Sequence, residues 1–172
     1  SYNINVKVTR ENETIFETDS VNDIAIGGDF MDYNTFKLNS KDELFHNLSM
    51  QGSGLCISTV MGSSGFNMNN GGAILRHFDE KGEPNRAWSI TSVVSTYNIN
   101  EIIFPEEFII DILTPKERYN GPRLFIDGQV HVIELLENDR VILNCGQTSR
   151  IIFNQADKFF KKTRDLILKR RF

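Results

Sequence analysis

Residues 123–146, RLFIDGQVHVIELLENDRVILNCG, set three short apolar-rich runs around two turn signals, Asp127-Gly128 and Asn138-Asp139. Asp-Gly supplies the positive-φ pair that a type I′ turn demands, so this segment predicts a three-stranded meander. The same period of two governs NINVKVT at residues 3–9, where Ile4, Val6 and Val8 share one face and Asn3, Asn5, Lys7 and Thr9 the other. A strand with one apolar and one polar face requires a sheet with one buried side. That requirement confines most of the chain to antiparallel β-structure.

The remaining segments are read against that constraint. RENE turns NINVKVT into TIFET, which predicts a first hairpin, and VNDIAI and TFKL are further short strands joined by the polar link GGDFMDYN. Ser40 followed by Glu43 fits a capping box, and Leu44, Phe45 and Leu48 follow at helical spacing, predicting a short helix over 41–50. LCISTVM at 55–61 is a buried strand bounded by glycines. AILRHFD, the turn-forming EKGEP and NRAWSITSVV predict a second hairpin over 73–94. FPEEFIIDIL combines Pro105 with Glu106 and Glu107, residues that suit a first helical turn, and Pro115 as a stop, predicting another short helix, with a strand as the alternative for its Ile-rich run. The chain closes on a helix over 154–170, in which Ala156, Phe159, Phe160, Thr163, Leu166 and Ile167 form one apolar stripe.

The 172 residues are 40% apolar, with thirteen Phe and nineteen Ile against four Pro, which suits one packed domain over 1–172. Net charge is −4, unevenly spread: residues 155–172 carry seven basic and two acidic side chains, a local +5 that leaves −9 on residues 1–154. Such asymmetry fits a solvated helix face, or a basic appendage meeting an acidic partner or polyanion. Cys56 and Cys145 lie in apolar runs without ligand spacing and are expected as two reduced, buried thiols. With no apolar run of eighteen residues, no transmembrane segment is expected, and the compartment inferred is the cytoplasm.

The glycine-rich stretch GSSGFNMNNGG at 62–72 is tested against three ligand motifs. A phosphate-cradling GxxxxGK[ST] is excluded because no Gly-Lys pair occurs in the chain. A GxGxxG fingerprint fails because Gly52-Ser53-Gly54 runs into Leu55, Cys56 and Ile57. A GxSxG elbow would need glycine where Phe66 stands. With a strand expected next, the stretch reads as a mobile strand-to-strand loop, in which Gly62, Gly65, Asn69, Asn70 and Gly71 would close on a partner through backbone amides.

Other chemistry is sparse. A cysteine nucleophile would need His46, His77 or His131 within reach. The acidic pairs Asp29/Asp32, Asp79/Glu80 and Asp127/Glu134 sit at turns or beside strands, and Leu135 and Leu136 stand where a nuclease site wants Lys, so neither metal nor cofactor is expected. If the 73–94 hairpin turns near Lys81-Gly82, Arg86 falls almost opposite His77, and Arg76, His77, Arg86 and Trp88 form a cationic patch able to hold a phosphate or stack a base. The alternative is a surface strand with its charges outward and Trp88 in the core. The basic end Lys169, Arg170 and Arg171 could reach a neighbouring chain or a nucleic acid.

These readings combine into an α+β fold: a mainly antiparallel sheet or partly closed barrel with two or three helices, the C-terminal amphipathic helix packed on the sheet. The leading functional expectation is a non-catalytic binding or assembly protein, of the kind used as viral, phage or mobile-element accessory factors, with a protein partner or homo-oligomer. An anion or nucleic-acid binder using Arg76, Arg86 and the basic terminus comes second. A small hydrolase or transferase with dispersed site residues comes third.

Overall fold

The structure is a computed structural model that describes residues 1–28, 33–41, 43–104, 106–115 and 121–149. The opening alternation forms the strand it predicts: β1, Tyr2–Arg10, buries Ile4, Val6 and Val8 completely. Glu11 and Asn12, both at positive φ, return the chain into β2, Glu13–Ser20. Then come β3, Asp23–Gly27; β4, Asn34–Ser40; β5, Leu48–Ser58; β6, Trp88–Ser95; and β7, Asn100–Ile103. The series ends with β8, Glu107–Ile112; β9, Arg123–Ile126; β10, His131–Glu134; and β11, Arg140–Thr148.

All ten strand pairings among the described residues are antiparallel, and the sheet curls into a half-barrel in the order β10-β9-β3-β5-β4-β8-β11-β1-β2, with β6 and β7 branching from β5. The branch is possible because β5 is long. Its residues 48–52 pair with β4, its residues 54–58 with β3, and β6 pairs with it from Gly52 to Ser58. Phe36, Leu38, Phe108, Ile110, Val141, Leu143 and Trp88 belong to one buried core cluster.

Several expected elements give way to tertiary pairing. The 41–50 helix shrinks to one 3₁₀ turn, Glu43–Phe45, which buries Phe45 edge-on to Phe108. Asn47, at φ 55, ends it, and Leu48 and Met50 join β5 against Leu38 and Phe36. Residues 107–112 of FPEEFIIDIL are also strand: in β8, Phe108, Ile110 and Ile112 are buried while Ile109 and Asp111 are only partly so. A sheet neighbour on each edge, β4 and β11, outweighs the helical start signals.

The predicted meander stops after two strands. His131 pairs with Ile126, leaving a four-residue turn rather than a two-residue one, and β11 pairs with β1 and β8. The departure has a visible cause: Arg10 grips the fully buried Asp139 through two 2.8 Å bonds, bringing the start of β11 beside the end of β1. The 73–94 hairpin is absent as a ladder, since residues 73–87 hold only one isolated bridge, Phe78 to Pro84. The predicted C-terminal helix, with Lys169, Arg170 and Arg171, lies outside the described residues.

Candidate functional site

Thr59, immediately after β5, begins the site. Its amide donates to the Asn22 carbonyl at 2.8 Å and its hydroxyl to the Val21 carbonyl at 2.7 Å, while the amides of Met61 and Gly62 donate back to that hydroxyl. The chain then winds through a 3₁₀ turn, Gly62–Ser64, into a one-turn helix α1, Phe66–Asn69. Ser63 bridges the Val60 carbonyl and the Leu75 amide. Asn67, fully buried, donates to Ser89 Oγ at 3.0 Å and the Ala73 carbonyl at 3.2 Å, and accepts from Thr91 Oγ1 at 3.2 Å.

The expected open loop is therefore a packed, hydrogen-bonded turn. Its connection to β6 is irregular chain, with no strand from 73 to 79. Gly62 is obligatory by close approach: a Cβ there would stand 2.1 Å from the Asn22 carbonyl oxygen.

A second knuckle faces this turn. The Asp127 carboxylate accepts from Ser20 Oγ at 2.9 Å and from the amides of Val21 at 3.0 Å and Asn22 at 2.7 Å. These bonds fix the entry to β3 and place Asp23 beside Asp127. Burial lifts the Asp23 carboxyl above its ordinary pKa, the Asp127 charge lifts it further, and a hydrogen bond from the Gly128 amide opposes both.

Between the knuckle and the turn lies a cavity of about 770 Å³, within the range of small-molecule and cofactor sites. Ala25, Ile26, Leu55, Val93 and Phe125 give it apolar walls; Gly62, Ser64, Gly65 and Phe66 form one side, and Asn22, Asp23, Asp127 and Gln129 the acidic, polar end. Phe66 is 48% exposed, so a ring face is open to a ligand. Such a space suits a ring on its apolar side and hydroxyl groups at its carboxylates. No Lys, Arg or His is among its described lining residues.

Of the residues singled out in the sequence, Gly62 and Gly65 line the cavity, whereas Asn69, Asn70 and Gly71 do not. Gly71 instead accepts a 2.8 Å hydrogen bond from Asn100. The cationic patch does not assemble as expected. Arg76 is exposed; Arg86 swings to Tyr2, with its guanidinium 4.7 Å from the ring centroid and 3.1 Å from the hydroxyl. Trp88 is in the core, 1% exposed, with its indole N–H buried and without a hydrogen-bond partner among the described residues. His77 is half-buried, and burial lowers its pKa, with the terminal ammonium adding to the effect.

Cys145 is exposed rather than buried, because it follows the last buried position of β11. Cys56 is buried, and its thiol is pushed up to about 12 by burial. Asp29 and Asp32 fall outside the described residues, among which no three His, Cys, Asp or Glu side chains gather as metal ligands. No helix among the described residues is long and apolar enough to cross a membrane. Sequence reasoning missed Asn22 and Asp23 altogether. The visible signal was Asp127-Gly128, read as turn chemistry; only the folded sheet shows that this turn caps the start of β3.

No protein-family model matches the sequence, and no curated protein matches it. Solved structures do match. Yeast NADH kinase complexed with NADH aligns over 89% of this chain with a TM-score of 0.68 and 15% identity. An NAD kinase from Archaeoglobus fulgidus in complex with ATP aligns over 95% with a TM-score of 0.61 and 13% identity. The chain spans 42% of the yeast enzyme's length and 60% of the archaeal one's, about half. The half-barrel is thus a fold found in two kinases, and this overturns the expectation of a non-catalytic binding or assembly protein.

Proposed function

We propose that this chain forms the dinucleotide-holding part of a kinase that phosphorylates a nicotinamide dinucleotide. The observation that carries the reading is the cavity between the Gly62–Ser64 turn and the Asp23/Asp127 knuckle, set in the half-barrel shared with the two kinases. Its apolar walls seat a planar ring, and Asp23 accepts hydrogen bonds from ribose hydroxyls, the task carboxylates perform in other dinucleotide sites. Holding the acceptor hydroxyl in place is the main service such a site supplies to phosphoryl transfer.

Titration of NADH fluorescence with the chain tests the reading, together with transfer of labelled γ-phosphate from ATP to the dinucleotide. Saturable binding with Kd below about 1 mM is expected. Asp23→Ala should weaken it roughly tenfold by removing a charge-assisted hydrogen bond. A folded chain that shows no saturation with NADH or NAD⁺ would refute the proposal.

A further inference from the structure

Strand pairing lays a bare row across the cavity side of the sheet. Phe125 of β9 pairs with Ala25 of β3; two residues along, Arg123 pairs with Gly27, Gly27 with Gly54 of β5, and Gly54 with Val93 of β6. Side chains two apart on a strand share a face. Phe125, Ala25, Gly27, Gly54 and Val93 all line the cavity, so Arg123 stands on the same face, at the end of that row. The two glycines keep the row bare: a Cβ on Gly27 would stand 2.7 Å from the Ser53 carbonyl oxygen, and one on Gly54 2.5 Å from that of Ile26.

Arg123 also leans toward the cavity. It is half-buried, and its guanidinium carbon lies 5.4 Å from the centroid of the Phe125 ring, a cavity wall. A guanidinium stacked on a ring presents its N–H groups edgewise, in the fork that matches a phosphate. A swing of the flexible stem across Gly27 carries that fork over backbone alone. Of the other described basic side chains, Arg10, Lys41, Arg86 and Arg140 are held by Asp139, Glu106, Tyr2 and Asp111, none of which lines the cavity.

The chemistry of a nucleoside gives the row a direction. A ribose carries its 2′ and 3′ hydroxyls on the side of the ring away from its 5′ carbon. Hydroxyls held at Asp23 therefore send the 5′ phosphate away from the acidic end. Arg123 lies four residues before Asp127 along β9, about 13 Å away at strand spacing, at the opposite end of the cavity side.

We infer that Arg123 is an anion subsite of this cavity, the side chain that takes the phosphate on the 5′ carbon of the bound nucleoside. The inference rests on the kinase reading, and it holds for either half of the dinucleotide, since both carry that phosphate.

The experiment measures Kd for NADH by fluorescence, and for AMP, adenosine, nicotinamide mononucleotide and nicotinamide riboside by displacement of NADH, at pH 8 in low salt and in about 0.5 M salt. In the pair that competes, the nucleotide should bind about tenfold more tightly than its nucleoside, with salt narrowing the ratio. Arg123→Ala should weaken NADH and the nucleotide about tenfold and leave the nucleoside within about twofold; Arg123→Lys, which keeps the charge and loses the fork, should fall between. Equal losses for nucleoside and nucleotide would make Arg123 a packing residue on Phe125 and overturn the inference, as would variants that bind NADH like the wild type. Both results leave the kinase reading intact. If Arg123→Ala fails to fold, Arg123→Lys and the wild-type ratio decide, and a ratio near one overturns the inference. Failure of the wild-type chain to bind NADH removes the two together.

Discussion

Residues 59–72 and residues 73–87 follow one another between β5 and β6; the first holds four glycines, three asparagines and no charged side chain, the second one glycine, one asparagine and six Asp, Glu, Lys or Arg. The first is bolted into the molecule: Thr59, Ser63 and Asn67 each satisfy two or more backbone or buried partners, and Ser63 and Asn67 are fully buried. The second runs largely over the surface, with Arg76, Phe78 to Glu83 and Arg86 exposed and only the Asp79 turn to organise its tip. The first stretch thus forms a wall of the cavity and the second an arm. What separates them is whether small polar side chains find buried partners, since burial makes each such hydrogen bond costly to lose.

Gly62→Ala sharpens this contrast most. The added Cβ would collide with the Asn22 carbonyl oxygen at 2.1 Å, pushing the turn off the β3 entry that carries Asp23. The expected loss is about 3 kcal/mol or more in urea unfolding, with loss of dinucleotide binding in whatever remains folded. Gly82 in the arm meets nothing within 4 Å but sits at φ +81, so Gly82→Ala should cost only about 1 kcal/mol and leave binding unchanged. Equal losses at the two glycines would break the contrast. Asn67→Ala comes next: it orphans the Ala73 carbonyl and the Ser89 and Thr91 hydroxyls in the interior, and should cost about 2 kcal/mol.

The sheet was largely legible because period two survives wherever one face is buried. Ile4, Val6 and Val8 predicted β1, and Glu11 and Asn12 closed its hairpin as the local turn signal required. The elements misread were those whose local signals were sound but outvoted. Ser40 remains the last residue of β4 and only Glu43 opens a turn, which ends because Leu48 and Met50 gain β4 as a partner. FPEEFIIDIL has a helical opening, but its Ile-rich half is claimed by strands on both sides. Of the site, Gly62 and Gly65 were legible as glycines with a role, whereas Asp23 was not. Its neighbour Asp127 lies more than one hundred residues away, and no local pattern joins them.

The acid pair offers a finer test of the cavity side. The folded pKa of Asp23 stands above its unfolded value near 3.8, so the folded state holds that proton more tightly. Its contribution to stability is fully present below about pH 3.8 and is lost as pH rises through the folded pKa. Asp23→Asn removes the titration. The wild type should lose stability relative to Asp23→Asn as pH climbs through that window, and the difference should then level off. Thermal unfolding of both proteins at half-unit pH steps would show it; a constant difference would mean that Asp23 is not the buried partner of Asp127.

The smallest effects belong to the arm, and they decide whether it is as independent as its exposure suggests. Asp79→Ala removes the acceptor for the Lys81 and Glu83 amides, at 2.8 and 2.9 Å, and should cost about 0.5–1 kcal/mol because both amides then turn to water. Arg86→Ala removes a cation–π contact and one hydrogen bond to Tyr2, both at the surface, and should leave the unfolding midpoint within error. Neither should alter dinucleotide affinity, since neither residue lines the cavity. The sensitive readout is the salt dependence of that affinity. If Arg86→Ala flattens it, the guanidinium acts on the ligand from outside the cavity, and the division between wall and arm is one of packing only, not of function.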